Sequence, residues 1–338
     1  MKSMDHQDDV TQFVDRAVSG ETVAAIDFTI QLLDTGVSKA DIIGDVMAPA
    51  QREVGDRWQR GELSVADEHL ASGVTESALY ALASAPPTPR YTGSVVVACA
   101  PGNWHSIAGH MIAEQLQAEG IATAFLGAST PALDVGRFLA SYQPDAIAIS
   151  CALPLFFPGV TELADVAHEQ GVPVMAGGYA FVGHPEWATR IGADAYAPDV
   201  ASALTLLHTW AAAPPDSRAP FVPDDRSLGL DERAVELAPR AMTELTRRFP
   251  AMAGYSVRQR QRTVEDLAYM VRFAAAALYV DDDAVFVEFL AWLIELLRVR
   301  GVPREAVVAG LESLQTLPEL RHDRVGDIVT TGLSSCCD

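Results

Sequence analysis

Three short stretches of this 338-residue chain combine residue types and spacing that suit metal chemistry. The first is Asn103-Trp104-His105-Ser106-Ile107-Ala108-Gly109, which follows the apolar run 95–100 and precedes the apolar segment 111–116. An imidazole offers a neutral nitrogen to a metal ion. A loop at the carboxyl end of a parallel strand is where open α/β sheets place their ligands. A lone loop histidine is more often a plain polar residue, so His105 needs company to count. The second stretch supplies it: Ser150, with Leu153 beyond it, closes the apolar run 146–149. The third, Gly177-Gly178-Tyr179, closes 172–176. All three fall at the same edge of one sheet, which makes His105 a candidate metal ligand.

A separate constellation lies upstream, where Trp58 is followed ten residues later by Glu68-His69. Taken alone, these read as a core indole and a surface Glu-His pair. Taken as a site, the indole is a flat apolar wall and the carboxylate an acceptor for hydroxyl groups.

The elements that must position these residues follow from periodicity. Apolar residues recur at helical spacing in 10–18, 23–33, 42–54 and 66–82, with breaks at Gly20, Gly36 and Glu62. Ser38, followed three residues later by Asp41, is an expected N-cap. Residues 1–86 are therefore expected to form a four-helix bundle. The proline-rich 85–89 stretch leads into 91–213, where strands at 95–100, 122–126, 146–150, 172–176 and 193–197 alternate with helices such as 132–142 and 160–170. That alternation predicts a doubly wound parallel sheet of flavodoxin-like type. A second proline-rich linker, 214–223, opens an all-helical segment, 224–338, with helices expected at 231–249, 257–280, 283–300 and 304–314. Its apolar stripe (Phe273, Leu278, Phe286, Phe289, Trp292, Leu293, Leu296) reads as core.

The stretch around His105 resembles the cobalamin-binding domain of methionine synthase and its relatives, whose signature is Asp-x-His-x-x-Gly, then Ser-x-Leu, then Gly-Gly. The resemblance implies that His105 ligates cobalt from below, with Asn103, Trp104, Ser106 and Ile107 around it. It also implies that the displaced nucleotide tail lies beside Ser150, Leu153, Gly177, Gly178 and Tyr179. Three positions depart from the pattern: Asn103 replaces the Asp that would hydrogen-bond the imidazole, Ala108 takes the Gly position with Gly109 one step late, and Ala152 replaces the Leu. The glycines are expected to leave room for a tail threaded against backbone. Trp58, Glu68 and His69 resemble the Trp-nine-residues-Glu-His motif of the adenosylcobalamin photoreceptors related to light-dependent carotenoid repressors. This implies a bundle capping the corrin, with the three side chains around a 5′-deoxyadenosyl upper ligand. Gln59 stands where those repressors carry a His that captures cobalt after photolysis, which leaves His69 as the substitute.

In the last segment, the run from Thr263 to Asp282 resembles the chromophore helix of phycobiliproteins, with Asp266, Tyr269 and Arg272 on matching positions. Thr263 replaces the thioether Cys and Glu265 the Arg, so the resemblance implies a non-covalent bilin such as biliverdin. Its propionates would be met by Arg258, Arg260 and Arg262. A haem is not expected, because His322 is the segment's one histidine and lies beyond its last expected helix. Together the parts resemble photocobilins, cobalamin photoreceptor modules fused to a globin-like bilin domain. The resemblance implies a light sensor rather than an enzyme, and no nucleophile or acid–base motif lies outside the cofactor residues.

Composition narrows the partners. A net charge of −21, with lysine at positions 2 and 39 alone, argues against direct DNA binding. No apolar run reaches membrane-spanning length and no signal peptide is visible, so a cytoplasmic protein is expected. Cys99 and Cys151 fall on core strands as small hydrophobes, and Cys336-Cys337 on an expected frayed tail. Expected partners are further copies of the chain, as a homodimer or larger assembly, and a downstream protein. Two alternatives stay open: a corrinoid methyl carrier for methyltransferases, and a regulator of transcription acting through a protein partner.

Overall fold

The computed structural model describes residues 6–83, 91–216 and 219–336. The expected 85–89 linker lies outside them. The chain divides into two units, Met1–Pro220 and Phe221–Asp338, with the break inside the second proline-rich stretch. The bundle and the sheet, expected as separate domains, form one unit.

The bundle contains α1 (Gln7–Val18), α2 (Thr22–Asp34), α3 (Lys39–Asp41), α4 (Ala48–Gln59) and α5 (Val65–Ala83). Ser38 caps α3, its side chain accepting from the Asp41 N–H at 3.1 Å. Between α3 and α4 the backbone widens into a π-helical turn, Ile42–Met47, which ends with the Ala48 N–H bonded to the Ile43 carbonyl. The widening comes just before Pro49, which lacks an N–H and whose ring would press on the carbonyl four residues back. Periodicity alone reads this whole stretch as one ordinary helix. Phe13, Ile42, Ile43, Met47, Leu79 and Leu82 fill the bundle core.

The sheet follows as β1 (Ser94–Cys99), α6 (Ile107–Ala118), β2 (Ala122–Phe125), α7 (Ala132–Tyr142), β3 (Ala146–Ser150), α8 (Phe157–Glu169), β4 (Val174–Gly177), α9 (Pro185–Arg190), β5 (Ala195–Tyr196) and α10 (Val200–Ala212). All five strands are parallel, in the order β2-β1-β3-β4-β5. The order in which strands are added reverses between β1 and β3, the switch point at which such sheets open a crevice. The register pairs Cys99 with Ser150 and Ser150 with Gly177, setting the three predicted strand ends in one row. Cys99 and Cys151 are fully buried. Desolvation pushes the Cys99 thiol up to about 11 and raises that of Cys151, so both behave as apolar groups.

Helix α6 is shared between the two layers. Gly109 turns toward the sheet, where an added Cβ would lie 3.2–3.3 Å from the Cys99 Sγ, the Phe125 ring and the Ser150 Cβ. Ala113 and Leu116 join the sheet core, while Ile107 and Met111, on the opposite helix face, pack into the bundle core. The departure noted at 108–109 is thereby explained: position 109, not 108, meets the sheet. Polar ties complete the seam. Gln115 Nε2 donates to the Ala40 carbonyl at 3.0 Å, and Lys39 Nζ sits 2.6 Å from Glu114 Oε2 with both side chains largely buried. His110 Nε2 lies 3.7 Å from Glu114 Oε1, and its ring stacks on Phe125 and meets Tyr80. Burial would lift the Glu114 carboxyl, but hydrogen bonds from His110 and Lys39 outweigh it and hold the group below its ordinary value.

The second unit is helical throughout among the described residues: α11 (Asp225–Glu232), α12 (Ala234–Arg248), α13 (Val257–Val280), α14 (Ala284–Val299), α15 (Arg304–Leu314) and α16 (Asp323–Ser335). The helix expected at 231–249 is two helices, broken at Arg233. Of the expected frayed tail, Cys336 is buried at the end of α16, and Cys337 lies outside the described residues. Val325, Ile328 and Val329 give α16 an apolar face, with Gly332 fitting against Phe286 and Leu290. The predicted stripe is core except at Trp292, which is 37% exposed, and Leu296, which is half-buried. Phe273 and Phe289 stack at 3.8 Å within it.

Removing one half of the seam ion pair strands the other in a dry site. Glu114→Ala is expected to lower the stability of the first unit by about 3 kcal/mol in chemical denaturation. The pair Lys39→Met with Glu114→Leu, which removes both charges, should recover most of that loss.

Candidate functional site

The loop after β1 is held by side chains bonded to backbone groups. Asn103, fully buried, accepts from the His105 N–H through Oδ1 at 3.1 Å and donates through Nδ2 to the Ser150 carbonyl at 3.3 Å. Ser129, at a positive φ of 50°, accepts the Gly102 N–H through its hydroxyl at 2.9 Å. Asn103 therefore acts on His105 through the loop, by an Asx-type turn that also ties β1 to β3, and not by bonding the imidazole. Trp104, 76% exposed, and His105 stand out toward solvent, while Ser106 is the N-cap residue of α6 and Ile107 its first residue. Because Ile107 packs into the bundle core, His105 lies where sheet and bundle meet.

Ser150 and Leu153 flank the buried Cys151, whose thiol is 3.3 Å from the Leu153 carbonyl. The paired glycines have a reason different from the expected one. A Cβ on Gly177 would lie 2.2 Å from the Ala197 carbonyl oxygen, and one on Gly178 2.3 Å from that of Cys151. Gly178 also takes a φ of +108°, open to glycine and few others. The protein's own backbone demands both glycines before any ligand does. Tyr179, the next residue, is 75% exposed.

On the bundle, Trp58 near the end of α4 is half-buried, and Glu68 and His69 sit in the first turns of α5. Glu68 Oε2 is 2.8 Å from His69 Nδ1, and Glu68 Oε1 accepts from the Ser72 hydroxyl at 2.8 Å. Gln51 Nε2 on α4 reaches that hydroxyl at 2.5 Å. Gln51 and Ser72 were not legible as site residues. Their signal was spacing alone: Gln51 is two helical turns before Trp58, and Ser72 one turn after Glu68.

Comparison with known proteins bears on this arrangement. Residues 93–205 match the B12 binding domain family, and residues 10–83 match a second family of the same description. The chain carries a cobalamin-binding module. It is 32% identical over 156 residues to the HTH-type transcriptional repressor CarH of Myxococcus xanthus, an alignment covering 45% of this chain and 52% of the repressor. The chain thus spans about half the length of that relative. It is 27% identical over 160 residues to dimethylamine corrinoid protein 3 of Methanosarcina mazei, covering 45% of this chain and 95% of that protein. The fold of the Methanosarcina barkeri monomethylamine corrinoid protein superposes with a TM-score of 0.52 at 22% identity, covering 60% of this chain and 99% of that one. The helical cap and parallel sheet of this chain are those of a corrinoid-protein fold.

The residues present suit cobalamin. No three His, Cys, Asp or Glu side chains gather into a bare-ion site among the described residues. His105 is a single outward-facing donor, which is what a metal already held by a macrocycle needs from a protein. The paired glycines keep residues 177–178 clear of side chains of their own, and the half-buried indole of Trp58 supplies a flat apolar face on the bundle. No helix among the described residues is long and apolar enough to cross a membrane.

The second unit has a cavity of about 310 Å³ whose lining includes Tyr255, Arg258, Arg262, Thr263, Asp266 and Arg300. Of the predicted bilin contacts, Arg258, Arg262 and Asp266 line it. Tyr269 and Arg272 do not: three-residue steps drift around α13, leaving Tyr269 in solvent and Arg272 2.8 Å from Asp231. Arg260 instead donates to the Tyr255 and Ala253 carbonyls. Arg300, from the end of α14, was missed because nothing local links it to α13. Desolvation, with the Glu265 charge adding to it, pushes the Asp266 carboxyl up to about 6 against the opposing pull of Arg262 and Arg300.

A carboxyl with a raised folded value retains its proton while the unfolded chain has already lost it. It therefore costs nothing below its unfolded value, and the cost grows as pH rises toward 6. Asp266→Asn is expected to stabilise the second unit by about 2 kcal/mol at pH 7.5 and by almost nothing at pH 3.5. Denaturation midpoints at the two pH values check this.

Proposed function

We propose that this chain is a light sensor that binds 5′-deoxyadenosylcobalamin between its cap and its sheet, with His105 as the lower cobalt ligand. When bound, that cofactor supplies a cobalt–carbon bond that light can break. The chain's residues do the rest. His105 gives the cobalt an imidazole, Trp58 walls off the opposite face, and Glu68 with His69 offers an acceptor and a ring to the ribose and base. Loss of the adenosyl group removes the contacts favouring the closed cap, so the bundle shifts relative to α6. Gln59 cannot serve as a second axial ligand, so the light state relies on His69 or on solvent. The output is a conformational signal, not turnover, passed to another copy of the chain or to a downstream protein in the cytoplasm. A net charge of −21 disfavours direct DNA contact.

The observation that carries the reading is the Glu68–His69 pair, tied across α4 and α5 by the Gln51–Ser72 link in a bundle that also carries Trp58, in one unit with an exposed loop imidazole at His105. Protein reconstituted with adenosylcobalamin in the dark is expected to change its visible spectrum, and its hydrodynamic radius or assembly state, under green light. His105→Ala should bind more weakly or give a spectrum without protein coordination. An unaltered spectrum in that variant would overturn the assignment. Tighter binding of methyl- than adenosylcobalamin would instead favour the methyl-carrier alternative.

A second chromophore is supported by the cavity in the second unit. Its lining pairs an apolar wall with a raised-pKa carboxyl and three arginines, which suits a non-covalent bilin such as biliverdin. In this reading Asp266 faces the pyrrole N–H groups, and Arg258, Arg262 and Arg300 meet the propionates. Added biliverdin should give a long-wavelength band that weakens in Asp266→Ala. If only the corrin bands appear, this second reading fails.

A further inference from the structure

The cap's upper-ligand residues are held by a hydrogen-bond relay whose direction is forced by chemistry. A carboxylate can only accept, so the Ser72 hydroxyl donates its proton to Glu68 Oε1 over 2.8 Å. That leaves the Ser72 oxygen as an acceptor for Gln51, which must present its NH2 group at 2.5 Å. With its amide turned this way, Gln51 Oε1 is buried and has no hydrogen-bond partner. Leaving an acceptor unpaired out of water is unfavourable, so the orientation is kept at the expense of local stability. The far end of the relay is Glu68 Oε2, 2.8 Å from His69 Nδ1, with His69 76% exposed at the cap surface. Glu68 thus has one oxygen fixed from within the bundle and the other engaged by the residue that faces outward. Gln51 and Trp58 are seven residues apart on α4, and Ser72 and Glu68 four apart on α5, so both ends lie on facing helix stripes.

From this geometry we infer that Gln51 and Ser72 are positioning residues that set the cap's choice of upper ligand. They fix the rotamer of Glu68 and, through it, the ring of His69. A free Glu68 would sample several rotamers, and a hydroxyl-bearing adenosyl group would lose its pre-set acceptor. A methyl group has no hydroxyl or N–H to offer, so its binding does not draw on the relay. The inference rests on the assignment of Trp58, Glu68 and His69 to the upper ligand.

The test is titration of the full-length chain in the dark with adenosylcobalamin and, separately, methylcobalamin, followed by visible absorbance. The wild-type chain, Ser72→Ala, Gln51→Ala and the conservative Ser72→Thr are compared. Ser72→Ala and Gln51→Ala are expected to weaken adenosylcobalamin binding about tenfold while leaving methylcobalamin within about twofold, whereas Ser72→Thr keeps the wild-type ratio. Thermal melts of the cofactor-free variants separate this from misfolding, because a merely structural role would weaken both ligands together. A wild-type chain with no preference for adenosylcobalamin would refute the parent reading. A wild-type preference that survives unchanged in both alanine variants would refute the relay alone.

Discussion

Helix α6 is the constraint on which the first unit depends. It is short, yet one face carries Gly109, Ala113 and Leu116 into the sheet and the other carries Ile107 and Met111 into the bundle. The buried Lys39–Glu114 pair, with His110 alongside, sits at the same seam. Paired charges in a dry seam add little net stability, but they penalise any docking in which one charge loses its partner. The ion pair thereby selects one placement of the bundle on the sheet, while the apolar contacts of α6 supply most of the attraction. Lys39, one of two lysines in a chain of strongly acidic balance, is used in the interior instead of on the surface.

The position of His105 follows from that docking. It lies two residues before the start of α6, on a loop that Asn103 ties to β3 and Ser129 ties to the segment after β2. Its backbone is thus fixed by the sheet, and its outlook by the bundle. In the proposed reading, a donor held in this way would need little reorganisation to meet the cobalt. The cap is prepared differently. There a polar relay within the helix pair holds one carboxylate, and an unpaired amide oxygen records the compromise.

The second unit follows a different plan. Its helices are amphipathic and its core is aromatic, centred on the stacked Phe273 and Phe289. Away from that core, the first three turns of α13 bring arginines and a buried carboxyl to the wall of a cavity. A polar wall of this kind adds nothing to folding, since desolvation of Asp266 opposes it. The proposed bilin would draw on these residues.

Much of this was determined by sequence alone. Helical and strand periodicity located the bundle helices, all five strands and α13, because each apolar pattern is local. The spacing of His105, Ser150 and Gly177-Gly178 placed three strand ends at one edge, since a parallel sheet aligns its carboxyl ends. Other features depended on residues distant in the chain. Only the tertiary structure decided that the glycines yield to the Ala197 and Cys151 carbonyls, and that Asn103 spends its amide on backbone. Only there do Gln51 and Ser72 meet, and Arg300 reach the cavity of α13. Periodicity records which face of an element is buried. It does not record which partner buries it, because that depends on loop closure and packing across the whole chain.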